Sequence, residues 1–389
     1  MLAGVWFCYM TFGLSMASLA PLVREIESDL DFSHSAMGTV LGAWQFVYIF
    51  AAIPCGILLD RIGARWGLAI GALIIGLSGI FRGFAEEYID LLIAVALFGL
   101  GGPLISAGAP QVVSERFEGK DRGLAMGIYI TGPGIGAVTA LLLTQPLILP
   151  WLEGNWRALL QIWGGVSLAA GLFWLLVAKE SPRTPDSIEG QSIMSGLVEL
   201  LRIPAVRVIL LMSVAVFSIN HGMGNWLVEI LQSFGADASR ASALATIPVV
   251  IGILSALTLP RMAAGSRRFS VLILLFSCSA LASLVLLSQP AGVWLYFALI
   301  VEGIAAGSMM TVLVLTLVEV PGVGDKRAGT AGGLFFSAAE IGGVGGPVLL
   351  GILFHAQGRF SSGLMVLALL GFLLVASVFP LRRHLLLKA

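Results

Sequence analysis

Twelve apolar runs, each long enough to cross a bilayer, govern what this chain can become. They lie at 4–23, 37–59, 66–85, 90–113, 123–149, 157–178, 206–230, 241–259, 269–288, 291–318, 328–355 and 362–381. A spanning helix needs about 20 apolar residues. In hydrocarbon, its backbone hydrogen bonds must all close within the segment. The pattern predicts an all-α membrane protein with 12 transmembrane helices and the lipid bilayer as its surroundings. Charge is scarce: Asp, Glu, Lys and Arg make up 11% of the residues, against roughly 25% in soluble domains. Mean hydropathy is +0.98. The formal net charge is zero, so nothing suggests nucleic acid as a partner.

Connections between runs are short, with one exception. The stretch 179–205 is polar and carries Pro182, Arg183, Pro185, Asp186 and Glu189. It reads as a cytoplasmic linker between six runs in 1–178 and six more in 206–389. Basic residues set the orientation. With both termini in the cytoplasm, 17 of the 22 Lys and Arg face inward. Arg24, Arg157, Arg240 and Arg359 then face outward, and Arg82 lies inside a run. The expectation is a multi-pass protein of the cell inner membrane with both termini cytoplasmic. The first run begins near Gly4 without a basic stretch before it, so it reads as a span and not as a cleaved leader. Cys8, Cys55 and Cys278 all fall inside apolar runs, with neither metal-ligand spacing nor a disulfide framework. No metal and no cofactor is expected.

Between the second and third runs stands Gly56-Ile-Leu-Leu-Asp60-Arg61-Ile-Gly63-Ala-Arg65. Charges this close to hydrocarbon need partners, and glycines permit a tight turn. The stretch resembles the loop signature of the major facilitator superfamily, G-x-x-x-D-R-x-G-x-[RK], which joins that family's second and third helices. The two halves of the chain also echo each other. Gly56 to Arg61 precedes Ala256 to Arg261 by 200 residues. Gly99 and Gly303 each stand 16 residues before a glutamate, Glu115 and Glu319. Parallel six-helix repeats suit the superfamily, and the resemblance runs the length of the chain. It implies two pseudo-symmetric six-helix bundles, alternating access, a small-molecule substrate and a monomer.

The resemblance also implies a conformational gate at the cytoplasmic side. Gly56, Asp60, Arg61, Gly63 and Arg65 supply its loop. Asp60 is expected to face the start of the eleventh helix near Gly329, and Arg61 and Arg65 to reach Glu115 or Glu118. The plainer alternative is that these charges only orient the chain and cap helices. In the fifth run, Gly132-Pro133-Gly134-Ile-Gly136 resembles the family's helix-five glycine–proline signature, with one spacing changed and the last pair altered. Pro133 is expected to kink the helix, and Gly132 to let a neighbour approach closely. Gly342 to Pro347 in the eleventh run is the counterpart. Drug–proton antiporters of the superfamily carry an arginine early in helix four. Here 91–111 holds no basic residue, which counts against a multidrug exporter.

Ionisable side chains inside a membrane are functional candidates. Glu302 and Glu340 sit near mid-bilayer in the tenth and eleventh runs. They read as proton-coupling sites, or as acids hydrogen-bonded to a neighbouring helix. In the seventh run, Asn220-His221-Gly-Met-Gly-Asn225-Trp226 puts His221 and Asn225 on one face. This is the leading substrate-contact segment, with interhelical hydrogen bonding as the alternative. Trp44, Gln45 and Tyr48 in the second run and Tyr129 in the fifth are further substrate candidates; aromatic rings there clamp a solute or pack. Tyr9 and Thr11 in the first run belong with them. Arg82, near the outer end of the third run, either attracts an anion or snorkels outward and pairs with Glu86.

Three segments resemble the cyanate and nitroimidazole permease branch: Gly79-Ile-Phe-Arg82, the run from Gly99 through Pro110 to Arg116-Phe117, and Gly127-Ile-Tyr129. That branch's Asn-x-Arg-Pro element in helix one is replaced here by Phe12-Gly-Leu-Ser15, so the likeness transfers no substrate. A second likeness, to the feline-leukaemia-virus-receptor type of carriers of choline-like amines, rests on Trp44, Gln45 and Tyr48, which suit cation–π binding. The sequence thus predicts a secondary active transporter of a small polar organic solute, leaning to an organic anion and coupled to protons. The alternative is an exporter or exchanger of an organic amine or drug. An enzyme is not expected: no aspartate occupies the centre of any run, and the sequence shows no obvious nucleophile to work with His221.

Overall fold

The computed structural model describes residues 1–179, 193–263, 265 and 267–386. Among these, every regular element is a helix. α1 spans Leu2–Ala17; one tight turn at Ala20–Leu22 leads to α2, Val23–Leu30. α3 is His34–Arg82, α4 Tyr88–Arg116, α5 Gly119–Tyr129 and α6 Gly132–Leu143. A wide helical turn at Thr144–Ile148 precedes α7, Leu149–Trp151, and α8, Trp156–Val177. The chain continues with α9, Ile193–Leu201; α10, Pro204–Ser233; α11, Ala238–Met262; and α12, Arg267–Leu287. It closes with α13, Val293–Val318; α14, Gly324–Gln357; and α15, Ser361–Leu386. Of the expected linker, residues 180–192 lie outside the described residues.

Polar side chains mark where helices begin, because the first amides of a helix lack partners within it. The Ser33 hydroxyl accepts from the Ala36 amide at 3.3 Å to start α3. Asn155 does the same for Ala158 at 3.0 Å to start α8. At α4 the Asp90 carboxylate accepts the amides of Glu86 and Glu87 at 3.2 and 3.1 Å. The fifth expected span is interrupted after Tyr129, and Pro133 sits in the first turn of α6. A proline is tolerated there because the amide it lacks would be unsatisfied anyway.

Eleven helices among the described residues are long and apolar enough to cross a membrane. One of them, α3, has 49 residues. At about 1.5 Å per residue it is more than twice the thickness of a hydrocarbon core. It is broken at Gly63, whose φ of 79° and ψ of 161° leave the helical region. The expected second and third spans fall on its two arms, 34–62 and 64–82. The break lies within the loop motif: a sharp, left-handed backbone step needs glycine.

The helices group into two compact units. One holds the described residues of Met1–Arg183, Gly224–Thr246 and Pro347–Ala356; the other holds those of Thr184–Met223, Ile247–Gly346 and Gln357–Ala389. The first unit therefore takes end segments of α10, α11 and α14 from the second half of the sequence.

Within each unit, glycines set the closest helix approaches. A Cβ on Gly136 would stand 1.9 Å from the Met10 carbonyl oxygen, so α6 meets α1 backbone to backbone. In the other unit, a Cβ on Gly342 would stand 1.9 Å from the Val214 carbonyl oxygen, which brings α14 against α10. A second pair of approaches involves the two glycines that match across the sequence halves. Gly99 of α4 faces the Trp44 carbonyl of α3 at 2.3 Å, and Gly303 of α13 faces the Pro248 carbonyl of α11 at 2.6 Å, both measured from the added Cβ. Lipid-embedded helices gain little from apolar burial, so close contact between small residues is what holds them together.

Candidate functional site

In the first unit, the sequence-predicted aromatic candidates join one cluster. Trp44 and Tyr48 lie one turn apart on α3, with ring centroids 6.1 Å apart. Trp44 meets Phe98 of α4 edge-on at 5.2 Å. Phe12 of α1 packs 5.1 Å from Phe98 and 5.7 Å from Tyr9. Tyr9 in turn stacks on Tyr129 at 5.6 Å. The Tyr48 hydroxyl shares a 2.9 Å hydrogen bond with Ser106. Gly102 leaves room for Tyr48, whose ring carbons would lie 3.3 Å from a Cβ there. Gln45, beside Trp44, is fully buried, and Thr11 is buried and bonded to the Cys8 carbonyl at 2.9 Å.

Arg82 touches the same cluster. Its guanidinium lies 5.7 Å from the Phe98 ring centroid. It donates to the Ser15 carbonyl at 2.9 Å and the Ser18 hydroxyl at 3.2 Å. Both acceptors belong to the end of α1, where carbonyls lack helical partners and a cation is favoured. This differs from the expected snorkelling and pairing with Glu86. Arg82 is 2% exposed, while Glu86 is exposed on the surface. A guanidinium at the last turn of α3 finds the carbonyl end of α1 nearer than solvent. Its Nε has no hydrogen-bond partner among the described residues.

The run-seven candidates are divided between the units. Asn220 and His221 lie in the second, Asn225 and Trp226 in the first. His221 packs 5.4 Å from Phe217 on the same face of α10. Trp226 is fully buried, donates its Nε1 hydrogen to the Pro347 carbonyl at 2.9 Å, and stacks on His34 at 5.4 Å. Asn225 is largely buried.

Glu302 on α13 and Glu340 on α14, both in the second unit, are 2% and 4% exposed. One carboxyl oxygen of each, Oε2, has no hydrogen-bond partner among the described residues. The reading of these acids as hydrogen-bonded packing groups therefore accounts for at most half of each carboxyl.

At the Gly63 end of the first unit, a cleft of about 430 Å³ brings together Gly63, Arg65, Trp66, Glu115, Arg116 and Lys179. The expected gate residues Arg65 and Glu115 thus share one cleft. Arg65 also reaches the Leu175 carbonyl at 3.4 Å, and Gln111 donates to Glu115 at 2.9 Å. Asp60 and Arg61 are exposed, and open space surrounds Gly56. The side chains of 324–329, which include the expected partner region of Asp60, lie outside the described residues. Gly132 and Pro133 face α1: a Cβ on Gly132 would lie 3.0 Å from the Trp6 carbonyl, and one on Gly13 would lie 2.0 Å from the Pro133 carbonyl.

Sequence reasoning missed a charged cluster at the opposite end of the first unit. Arg24, Glu27, His34 and Glu229 converge there from α2, α3 and α10. The available signal was Glu229, an acid in the apolar α10 one turn after Asn225.

The description of the family model that matches residues 5–347 is the Major Facilitator Superfamily. The chain belongs to this superfamily. It is a multi-pass membrane protein from a family of carriers, and not an enzyme. It is 23% identical over 372 residues to an uncharacterized transporter, YycB, of Bacillus subtilis, covering 94% of this chain and 89% of that one. It is 21% identical over 382 residues to the hexuronate transporter of the same organism, covering 91% and 87%. Among solved structures, the nucleoside transporter NupG aligns with a TM-score of 0.84 at 15% identity, covering 98% of this chain and 99% of that one. At that identity the likeness is one of fold.

Proposed function

We propose that this superfamily member is a secondary active transporter of a small organic anion, working by alternating access and coupled to protons. The observation that carries the reading is Arg82. Its positive charge is 2% exposed, and the groups it meets, Ser15, Ser18 and Phe98, are all neutral. A buried cation with no carboxylate partner among the described residues draws an anion toward its end of the bundle. The similarity to a hexuronate transporter supports the same class of substrate. Glu302 and Glu340 are the proposed proton carriers, each with one carboxyl oxygen that has no hydrogen-bond partner among the described residues. In the first unit Trp44, Gln45, Tyr48, Tyr129, Arg82, Asn225 and Trp226 are proposed substrate contacts, and in the second unit Asn220 and His221 are.

The finer architecture belongs to the same proposal. Twelve spans arise if both arms of α3 cross, six in 1–178 and six in 206–389, joined by 179–205. Matched glycine approaches in the two sequence halves support two repeats. The basic-residue count supports cytoplasmic termini in an inner membrane, with Gly63 and its cleft as a cytoplasmic gate and the His34 end facing out.

A second reading, exchange of an organic amine, is favoured by the Phe12, Trp44 and Phe98 rings, which suit a cation. A thermal-shift screen of the purified protein at pH 5.5 and 7.5 separates the two. A ligand bound only by the folded state raises the melting temperature by mass action. A hexuronate or small carboxylate that stabilises more strongly at the lower pH supports the anion reading. Stabilisation by quaternary amines alone replaces it with the amine reading.

A further inference from the structure

The cluster at the outer end of the first unit is built around one imidazole. His34 opens α3. Its Nδ1 lies 2.8 Å from a Glu27 carboxyl oxygen of α2. Its Nε2 lies 3.9 Å from a Glu229 carboxyl oxygen of α10, an ion-pair separation longer than a hydrogen bond. A neutral imidazole carries a proton on one nitrogen only. If Nδ1 donates to Glu27, a neutral ring turns a lone pair toward the Glu229 carboxylate. A second proton converts that repulsion into attraction.

Among the described residues, the charges seen around the ring come from two elements. α2 contributes Glu27, and Arg24 beyond it; α10 contributes Glu229 and the apolar face of Trp226; α14 contributes Phe354. Arg24 holds Glu229 from its far side, with Nε at 2.7 and 3.0 Å from the two oxygens and a terminal nitrogen at 2.6 Å. The remaining acids of α2 are engaged elsewhere, Glu25 by Gln145 and Asp29 by Arg157 and Trp156. Two carboxylates and one guanidinium leave one negative charge, which an imidazolium cancels. The ring itself is clamped flat between Phe354 at 4.0 Å and Trp226 at 5.4 Å, both stacked within 13°.

This clamp joins the two halves of the sequence. The α14 segment closes on α3 through glycines: a Cβ on Gly351 would stand 2.5 Å from the His34 carbonyl, and one on Gly38 would stand 2.8 Å from the Pro347 carbonyl. Opening this end requires α10 and α14 to leave α2 and α3. That motion removes Glu229 and both rings from His34 and leaves the imidazole with Glu27 and water.

We infer that His34, set between Glu27 and Glu229, is a proton-binding site that latches the outer end of the carrier closed. Because the closed arrangement holds the proton more tightly than the open one, binding it favours closure by linkage. Low pH outside therefore closes this end, and rising pH releases it. The site is separate from Glu302 and Glu340, which lie in the other unit. The inference rests on the alternating-access reading, since an outer end that never opens needs no latch.

Pulsed electron–electron spin distances test it directly. Spin labels go on Glu86→Cys and Arg240→Cys, both exposed positions of the first unit, in full-length protein lacking Cys8, Cys55 and Cys278. Two distance populations are expected, with the longer one growing on the order of tenfold between pH 5.5 and pH 9. His34→Gln is expected to flatten that pH response, His34→Lys to hold the short distance at every pH, and Glu229→Gln to favour the long one. Two populations whose ratio follows pH equally in His34→Gln overturn the latch alone. A single distance in every variant and at every pH overturns alternating access and the latch with it. Histidine nuclear magnetic resonance gives an independent check. The ring signal missing from His34→Gln should titrate at lower pH in Glu229→Gln; an unchanged midpoint contradicts the inference.

Discussion

Gly136 and Met10 stand so close that the smallest side chain would collide: a Cβ on Gly136 falls 1.9 Å from the Met10 carbonyl oxygen. Gly342 has the same relation to Val214 in the other unit. The obstruction is backbone and not a flexible side chain, so α6 or α14 must shift as a whole to admit a methyl group. Gly136→Ala and Gly342→Ala are each expected to destabilise the protein by about 1–3 kcal/mol. The check is the melting temperature in detergent or nanodiscs, and Gly345→Ala, which has open space around it, should leave it nearly unchanged.

Gly63 predicts a different kind of cost. Nothing lies within 4 Å of a Cβ built there, yet its φ of +79° is one that side-chain-bearing residues rarely adopt. Gly63→Ala should therefore cost about 1–3 kcal/mol through backbone strain alone. Thermal unfolding reads the cost; an unchanged midpoint would mean the two arms of α3 rejoin without the sharp step.

Arg82 should separate charge from shape. Arg82→Gln removes the cation from the end of α1 and should weaken binding of a small carboxylate by roughly tenfold to a hundredfold, the value of a charged hydrogen bond. Arg82→Lys keeps the charge but reaches only one of Ser15 and Ser18, so it should recover part of that affinity. Equal losses in both variants, tracking their melting temperatures, would assign Arg82 to anchoring α1 alone.

Glu302 and Glu340 are expected to divide coupling from exchange. Glutamine copies the shape of the carboxyl but cannot carry a proton. Glu340→Gln, or Glu302→Gln if the other acid is the carrier, should abolish accumulation driven by a pH gradient and spare exchange of labelled for unlabelled solute at equal concentrations. Transport assays with and without an imposed gradient distinguish the two.

Much of the fold was legible because membrane spans write themselves as apolar runs, and because Asp60, Arg61 and the flanking glycines fall where a sharp connection must lie. The break at Gly63 and the paired approaches of Gly99 and Gly303 follow from residues already conspicuous in the sequence. Trp44 and Tyr48 announced themselves as rings at helical spacing, and the structure joins them to Tyr129 through Phe98, Phe12 and Tyr9, of which the two phenylalanines gave no reason to be singled out. Arg82 was visible as a buried cation, but its partners were not: Ser15 and Ser18 offer a carbonyl and a hydroxyl on another helix, and no local spacing reveals that. The His34 cluster was hidden for the same reason. Glu229 stands 205 residues after Arg24 in sequence, and only the packing of α10 and α14 against α2 and α3 makes it a neighbour of His34 and Arg24.

The most direct test of the account is uptake of a radiolabelled hexuronate by proteoliposomes carrying the purified protein, with and without an inward proton gradient. Saturable uptake is expected, rising above equilibrium when the gradient is imposed and collapsing when it is dissipated. Binding of the hexuronate without flux under either condition, or uptake indifferent to the gradient, would contradict it.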